Sequence, residues 1–223
     1  LISVVLSGVP GGNNHEFVEL YNPHSETVDL DGRTLLYLTR SGQEESELIR
    51  WKGRSDVPGL GHYLLVREGE SFGLLPDAQY KAAMFEGKGG LILRNAAGEI
   101  VDRFGWGEAP EGYFDGSPFE DFEKGDSLVR LPGGDAGNGA YSGQNTVDFA
   151  AFSKPQPQNS GSPLTPLPEQ RLTIDLGYPM DISPGSEFSL SVNVANLSED
   201  QISDVRVSLP LADHFARLLL PDG

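Results

Sequence analysis

The segment His15-Glu16-Phe17-Val18-Glu19-Leu20-Tyr21-Asn22-Pro23 constrains the fold of this chain more than any other. Apolar and polar residues alternate along it with a period of two. It stops at Asn22-Pro23, where proline lacks the N–H that a sheet ladder needs. It reads as a half-buried strand ending in a turn. Further short apolar runs lie at residues 1–9, 35–38, 48–51, 62–66, 91–93, 100–104, 128–131 and 147–152, and Gly, Pro, Asn or Asp punctuates nearly every gap. That pattern predicts an all-β sandwich with no long helix. Residues 91–104 form the clearest local element, a hairpin whose loop runs from Asn95 to Gly98, where glycine adopts a positive φ without a Cβ clash. Trp106, just beyond it, is expected to cap the core, the alternative being an exposed tryptophan used for binding.

Composition removes several classes of function. The 223 residues carry 16 Lys and Arg against 33 Asp and Glu, a net charge of −17. Such a surface repels phosphate backbones and anionic headgroups, so no nucleic-acid partner is expected. No run approaches the roughly 18 apolar residues of a membrane span, so no membrane insertion is expected either. The absence of cysteine excludes disulfides and thiolate metal sites.

A Pro-rich stretch beginning near Lys154 and containing Pro155, Pro157, Pro163, Pro166 and Pro168 divides the chain. It cannot continue a sheet ladder and is read as a boundary, with residues 163–170 as a semi-rigid linker. Beyond it, residues 172–176, 183–196 and 205–210 read as three more strands, and Phe188, Leu190, Val192 and Val194 alternate with Ser and Asn along the middle one. Only about 50 residues follow the linker, half of the roughly 100 that a complete sandwich needs. The expectation is the N-terminal part, 171–223, of a truncated second domain in a larger polypeptide.

The residues Glu16-Phe17-Val18-Glu19-Leu20-Tyr21-Asn22-Pro23, then Asp29-Leu30-Asp31-Gly32, then the hairpin between Gly89 and Trp106, resemble the lamin tail domain. Tyr63-Leu64-Leu65-Val66, Asp126-Ser127-Leu128-Val129-Arg130 and Asp148-Phe149 agree with that family in order. In Pro155-Gln156-Pro157-Gln158-Asn159, Gln156 stands where the family's closing turn has glycine. The resemblance covers residues 1–162 and implies an immunoglobulin-like β-sandwich, a fold found in nuclear lamins and in secreted bacterial proteins. Its motifs are structural and imply no catalytic residue. The tail is similar to the opening half of the immunoglobulin-like repeats of bacterial surface proteins. Together the two resemblances imply an exported bacterial protein located outside the cell or on its surface. The sequence starts at Leu1 without a charged-apolar-small leader, so any signal peptide is expected to have been removed, and the location rests on the resemblance.

Two short motifs imitate catalytic sites. His15-Glu16 followed by Glu19 has the spelling of a zinc-protease helix, but that chemistry needs two His four residues apart on one helical face. A strand puts residues 15 and 16 on opposite faces, so Glu19 is expected instead to accept hydrogen bonds from neighbouring backbone. Asp77 with Glu86-Gly87-Lys88 spells a metal-dependent nuclease, in which two carboxylates hold Mg²⁺ and a lysine steadies the attacking water. The spelling is short, and the net charge opposes nucleic acid. His24, His62 and His214 read as isolated, Gly-x-Ser-x-Gly is absent, and Gly87-Lys88-Gly89-Gly90 leads into a strand rather than a phosphate-binding helix.

Residues 105–126 are a long span with little strand signal, and spans of that length are frequently functional. Trp106, Tyr113, Phe114, Phe119 and Phe122 offer stacking area for a sugar or a partner chain. Asp115, Glu120, Asp121, Glu123 and Asp126 offer oxygens for Ca²⁺. The competing reading is a compact loop whose aromatics pack on the core and whose acids face water. Asp135 with Asn138 is a weaker oxygen pair. The expected function is a non-catalytic interaction or tethering module that presents loops and strand edges to a protein or glycan. The alternative is an accessory domain of a secreted hydrolase or nuclease whose catalytic part lies outside this chain.

Overall fold

The structure, a computed structural model, describes residues 1–38, 45–84, 87–166, 172–177 and 191–196. The chain divides into two compact units, Leu1–Gln170 and Arg171–Gly223. Strands β1 (Ile2–Val9), β2 (Gly12–Tyr21), β3 (Val28–Asp29), β4 (Thr34–Leu38), β5 (Glu45–Arg50), β6 (Asp56–Val57), β7 (His62–Arg67), β8 (Ala78–Tyr80), β9 (Lys88–Arg94), β10 (Ile100–Gly107), β11 (Ser127–Arg130) and β12 (Phe149–Phe152) build the first unit. One turn of helix, α1 (Asn145–Asp148), precedes β12. A six-stranded sheet in the order β12-β11-β1-β2-β7-β8 faces a four-stranded sheet in the order β10-β9-β4-β5, and β3 pairs with β6. This is an all-β sandwich.

Side-chain parity explains the layering. Val5, Val18, Leu20, Tyr63, Leu65 and Leu128 of the larger sheet meet Leu35, Tyr37, Leu91, Leu93, Phe104 and Trp106 of the smaller one in a single core. Each such side chain contributes roughly 1.5–3 kcal/mol by leaving water. Turn chemistry follows the sequence closely. Asn95 Oδ1 accepts the N–H groups of Ala97 and Glu99 at 3.0 and 2.9 Å, and Gly98 sits at φ 85° between β9 and β10. At the end of β2, Asn22 Nδ2 donates to the Glu26 carbonyl at 2.7 Å and its Oδ1 accepts His24 N–H at 3.1 Å, which holds the Asn-Pro turn.

The half-buried strand expected at residues 15–21 is buried on both faces along most of its length. Glu16, Val18 and Leu20 point inward, while Phe17, Glu19 and Tyr21 point outward and are also shielded. Two coverings account for this. Phe72, from the loop after β7, packs edge-on against Phe17 at 4.9 Å over a second apolar cluster of Val4, Leu6, Phe17, Leu64 and Val66. Residues 153–166 then cross the outer face as a strap, with Gln158 N–H donating to Glu19 and Thr165 N–H donating to the Leu60 carbonyl. Thr165, within the stretch read as a linker, is buried.

One ion pair ties the two sheets together. Arg130 of β11 donates through Nη2 to both carboxylate oxygens of Asp102 on β10, at 3.0 and 2.8 Å.

In the second unit, β13 (Leu172–Gly177) and β14 (Ser191–Asn196) pair antiparallel from Leu172↔Asn196 to Gly177↔Ser191. Val194 is exposed and Val192 half-buried. Phe188, Leu190 and the strand expected at 205–210 lie outside the described residues.

Candidate functional site

The aromatic and acidic span at 105–126 begins as the end of β10 and folds back onto it. Trp106 and Phe119 form a parallel bridge, with Gly107 N–H donating to the Phe119 carbonyl and Phe119 N–H to the Gly105 carbonyl, each at 2.9 Å. Trp106 is fully buried and stacks between Phe104 and Tyr37, with centroids 5.8 and 6.3 Å away. Phe119 belongs to the core, and Phe122 packs against it from the rim. Glycines on β9 make the bed for these rings. A Cβ at Gly89 would lie 2.5 Å from the Trp106 ring, and one at Gly90 would lie 2.6 Å from Tyr113. Tyr113 and Phe114 are half-buried. The Tyr113 hydroxyl donates to Glu45 at 2.9 Å, and desolvation, followed by that carboxylate, pushes it up to about 12. Of the five aromatics, Trp106 and Phe119 thus face the core and offer no stacking surface to a ligand in this arrangement.

The acids of the span do not converge. Asp115 pairs with Arg103 and, through its backbone, with Asn145, whose side chain also holds Gly105 N–H at 3.1 Å. Asp126 accepts Glu123 N–H at 2.8 Å, closing a tight turn. Glu120, Asp121 and Glu123 face solvent. Among the described residues no group of three His, Cys, Asp or Glu side chains is placed to hold a metal ion. Asp135 is exposed, whereas Asn138 is buried and donates to the Arg130 carbonyl at 2.8 Å, so that oxygen pair is not assembled either.

A different surface has binding character. Leu131, Pro132, Ala140, Tyr141, Ser142, Val147 and Asp148 line an open groove of about 590 Å³. Tyr141 and Val147 are 57% and 61% exposed, large values for apolar side chains gathered in one place. Rigid contacts hold the walls. Asp148 accepts Ser142 N–H on both oxygens at 2.9 Å, Ala140 N–H donates to the Leu131 carbonyl at 2.9 Å, and Leu131 N–H donates to the Asp148 carbonyl at 2.8 Å. The Arg130 guanidinium lies beneath, 4.5 Å from the Phe149 ring and 5.9 Å from the Tyr141 ring. The groove adjoins β12, an edge strand of the larger sheet.

A second depression of about 820 Å³ is lined by Val9, Pro10, Gly11, Gly12, Asn14, His15 and Glu70. There His15 Nδ1 lies 2.7 Å from Glu70 and its ring rests on Phe72 at 4.0 Å.

The residues of the protease-like spelling are dispersed on β2. Glu16 points inward to Met84 N–H at 3.0 Å, and Glu19 points outward. Of the backbone donors expected for Glu19, the structure supplies Gln158 N–H, and the remaining partners are the side chains of Ser3 and His62. In the nuclease-like spelling, Asp77 accepts Leu64 and Ser160 N–H groups, Lys88 pairs with Glu108 at 3.5 Å, and Glu86 lies outside the described residues, as does His214. His62 is not isolated. Its ring bridges Glu19 and the Thr165 hydroxyl, each at 2.8 Å, in the order carboxylate, imidazole, hydroxyl. All three are buried, and neither depression described above includes them, so the arrangement serves as an internal clasp. In comparison with known proteins, no family model matches this chain and no curated protein matches it.

Proposed function

We propose that this chain is a non-catalytic interaction module of a larger exported protein, tethering it through an extended polypeptide that docks along β12 and the adjoining groove. The lamin-tail-like and immunoglobulin-like readings of the two units belong to this proposal. The observation that carries it is the exposure of Tyr141 and Val147 in a groove with rigid walls beside a sheet edge. An extended segment adding to β12 gains main-chain hydrogen bonds from the edge, while one of its side chains fills the groove over Tyr141. The net charge of −17 favours a segment rich in Lys or Arg and raises its rate of encounter.

A peptide array of extended, Lys-containing sequences probed with the whole chain tests this. Val147→Asp should weaken the best sequences about tenfold or more, and Tyr141→Ala should act in the same direction. Equal binding by the wild type and both variants would remove the groove from the mechanism. A glycan array probed in parallel distinguishes a sugar partner.

A further inference from the structure

Residues 153–166 are held to the sandwich by an unusual kind of contact. None of them belongs to either apolar cluster of the first unit. Their anchors are polar, and they fall into an exposed set and a buried set. In the exposed set, Asn159 Nδ2 donates to the Leu75 carbonyl at 2.9 Å and Ser160 N–H to Asp77 at 2.9 Å. The buried set surrounds Thr165, where Ser3, Glu19, His62 and Thr165 are each at most 1% exposed.

Proton bookkeeping fixes how the buried set works. The Glu19 carboxylate can only accept, so His62 Nδ1 carries the proton directed at it, beside the Ser3 hydroxyl at 2.8 Å and Gln158 N–H at 2.7 Å. With the imidazole neutral, His62 Nε2 accepts the Thr165 hydroxyl at 2.8 Å. The Tyr21 hydroxyl donates to the Thr165 carbonyl, and Thr165 N–H donates to the Leu60 carbonyl at 2.7 Å. Leu60 sits at φ 56°, a sparsely populated region for a branched side chain, which persists only where the surroundings hold it. β2, β7 and the loop at Leu60 thus converge on Thr165, near the C-terminal end of the first unit.

We propose that residues 153–166 form a latch that opens as one unit ahead of the sandwich, with Glu19–His62–Thr165 as its lock. A segment held by polar contacts and absent from both apolar clusters detaches without dissolving the core, so its opening free energy lies below that of the sheets. The tethering reading supplies the biological load, because the latch lies near the C-terminal end of the first unit, from which the chain runs on to the second. The opening itself requires no partner.

Native-state hydrogen exchange on the whole chain tests the latch. In the wild type, the amides of Gln158, Ser160 and Thr165 should exchange through one common opening, faster than those of β2 and β7. Thr165→Val keeps the shape and removes the donor to His62; it should speed all three by one common factor of about ten and leave the strap exchanging faster than β2 and β7. Exchange of the strap at the rate of the sheets would overturn the proposal. Ser160→Ala, at the exposed anchor, reads the same concerted opening should Thr165→Val fail to fold. Independent responses of the three amides would also overturn it. A chain that binds no peptide still yields these rates, so failure of the tethering reading and failure of the latch are distinguishable.

Discussion

Arg130 with Asp102, and Arg67 with Glu16, each set a guanidinium against a wholly buried carboxylate, yet the two surroundings differ in nearly every contact. Arg130 donates to both oxygens of Asp102, to the Ile2 carbonyl at 2.7 Å and to the Ala140 carbonyl at 2.8 Å, and it lies over the Phe149 ring. Arg67 Nη1 stands 3.9 Å from Glu16, and among the described residues it has no hydrogen-bond partner. Glu16 accepts Met84 N–H on both oxygens, at 3.1 and 3.0 Å. Charge is tolerated inside a protein when each donor is aimed at an acceptor; where the geometry is loose, the carboxylate holds its proton instead. Burial, opposed by the Met84 hydrogen bond and by Arg67 and reinforced by Glu70, pushes Glu16 from an ordinary 4.5 up to about 7.

Breaking the complete pair should have the largest effect. Arg130→Met strands the Asp102 carboxylate with Ile2 N–H as its remaining donor and should cost about 3–5 kcal/mol in urea denaturation. Adding Asp102→Asn to the same chain should recover most of the loss, because the penalty lies in the orphaned charge and not in the missing attraction. A double variant as unstable as the single one would show that the pair contributes directional tethering between the sheets.

The loose pair predicts the opposite sign. Glu16 has a folded-state pKa raised above its unfolded value, so the native state binds the proton more tightly. Its carboxyl imposes no penalty below pH 4.5, and stability is then lost as pH rises through about 7. The full difference corresponds to at most ~3 kcal/mol above that window. Glu16→Gln keeps an acceptor for Met84 N–H and removes the charge facing Arg67, Glu70 and Tyr80. It should stabilise the first unit at pH 8, change little at pH 4.5 and flatten the profile between them. A variant no more stable than wild type at pH 8 would place Arg67 closer to Glu16 in solution than in this structure.

Much of this arrangement was legible along the chain, and the remainder depended on distances that sequence does not encode. The Asn95–Gly98 turn and the core placement of Trp106 follow from local turn chemistry and periodicity. Glu16 shares the inward parity of Val18 and Leu20, so a carboxyl in the core was already implied. Burial on the outer face also left a mark, because Val4-Val5-Leu6 and Leu64-Leu65-Val66 do not alternate, as expected of strands covered on both sides. The clasp around His62 left none, since its partners stand 43 and 103 positions away and Thr165 lies in a Pro-rich stretch whose composition suggests a spacer. The 105–126 span left two readings open for the converse reason. Aromatics interleaved with acids look alike whether the rings face a ligand or a bed of glycines, and Gly89 and Gly90 decide the matter from another strand.

The smallest effect bears on the same comparison. Tyr80 is 2% exposed, and its hydroxyl has no hydrogen-bond partner among the described residues. Burial, then the nearby Glu16 carboxylate, raises its pKa well above the ordinary 10.0. A buried hydroxyl left unpaired costs roughly 1–3 kcal/mol in desolvation, part of which a phenyl ring recovers by filling the same space without the polar atom. Tyr80→Phe should therefore stabilise the first unit by up to about 1 kcal/mol, measured as a higher urea midpoint at unchanged slope. In the Glu16→Gln background the gain should shrink, because the new amide offers the Tyr80 hydroxyl a neutral neighbour able to donate or accept. If Tyr80→Phe instead costs 1 kcal/mol or more, the hydroxyl has a partner in solution, and the Arg67–Glu16 region is as fully satisfied as the Arg130–Asp102 pair.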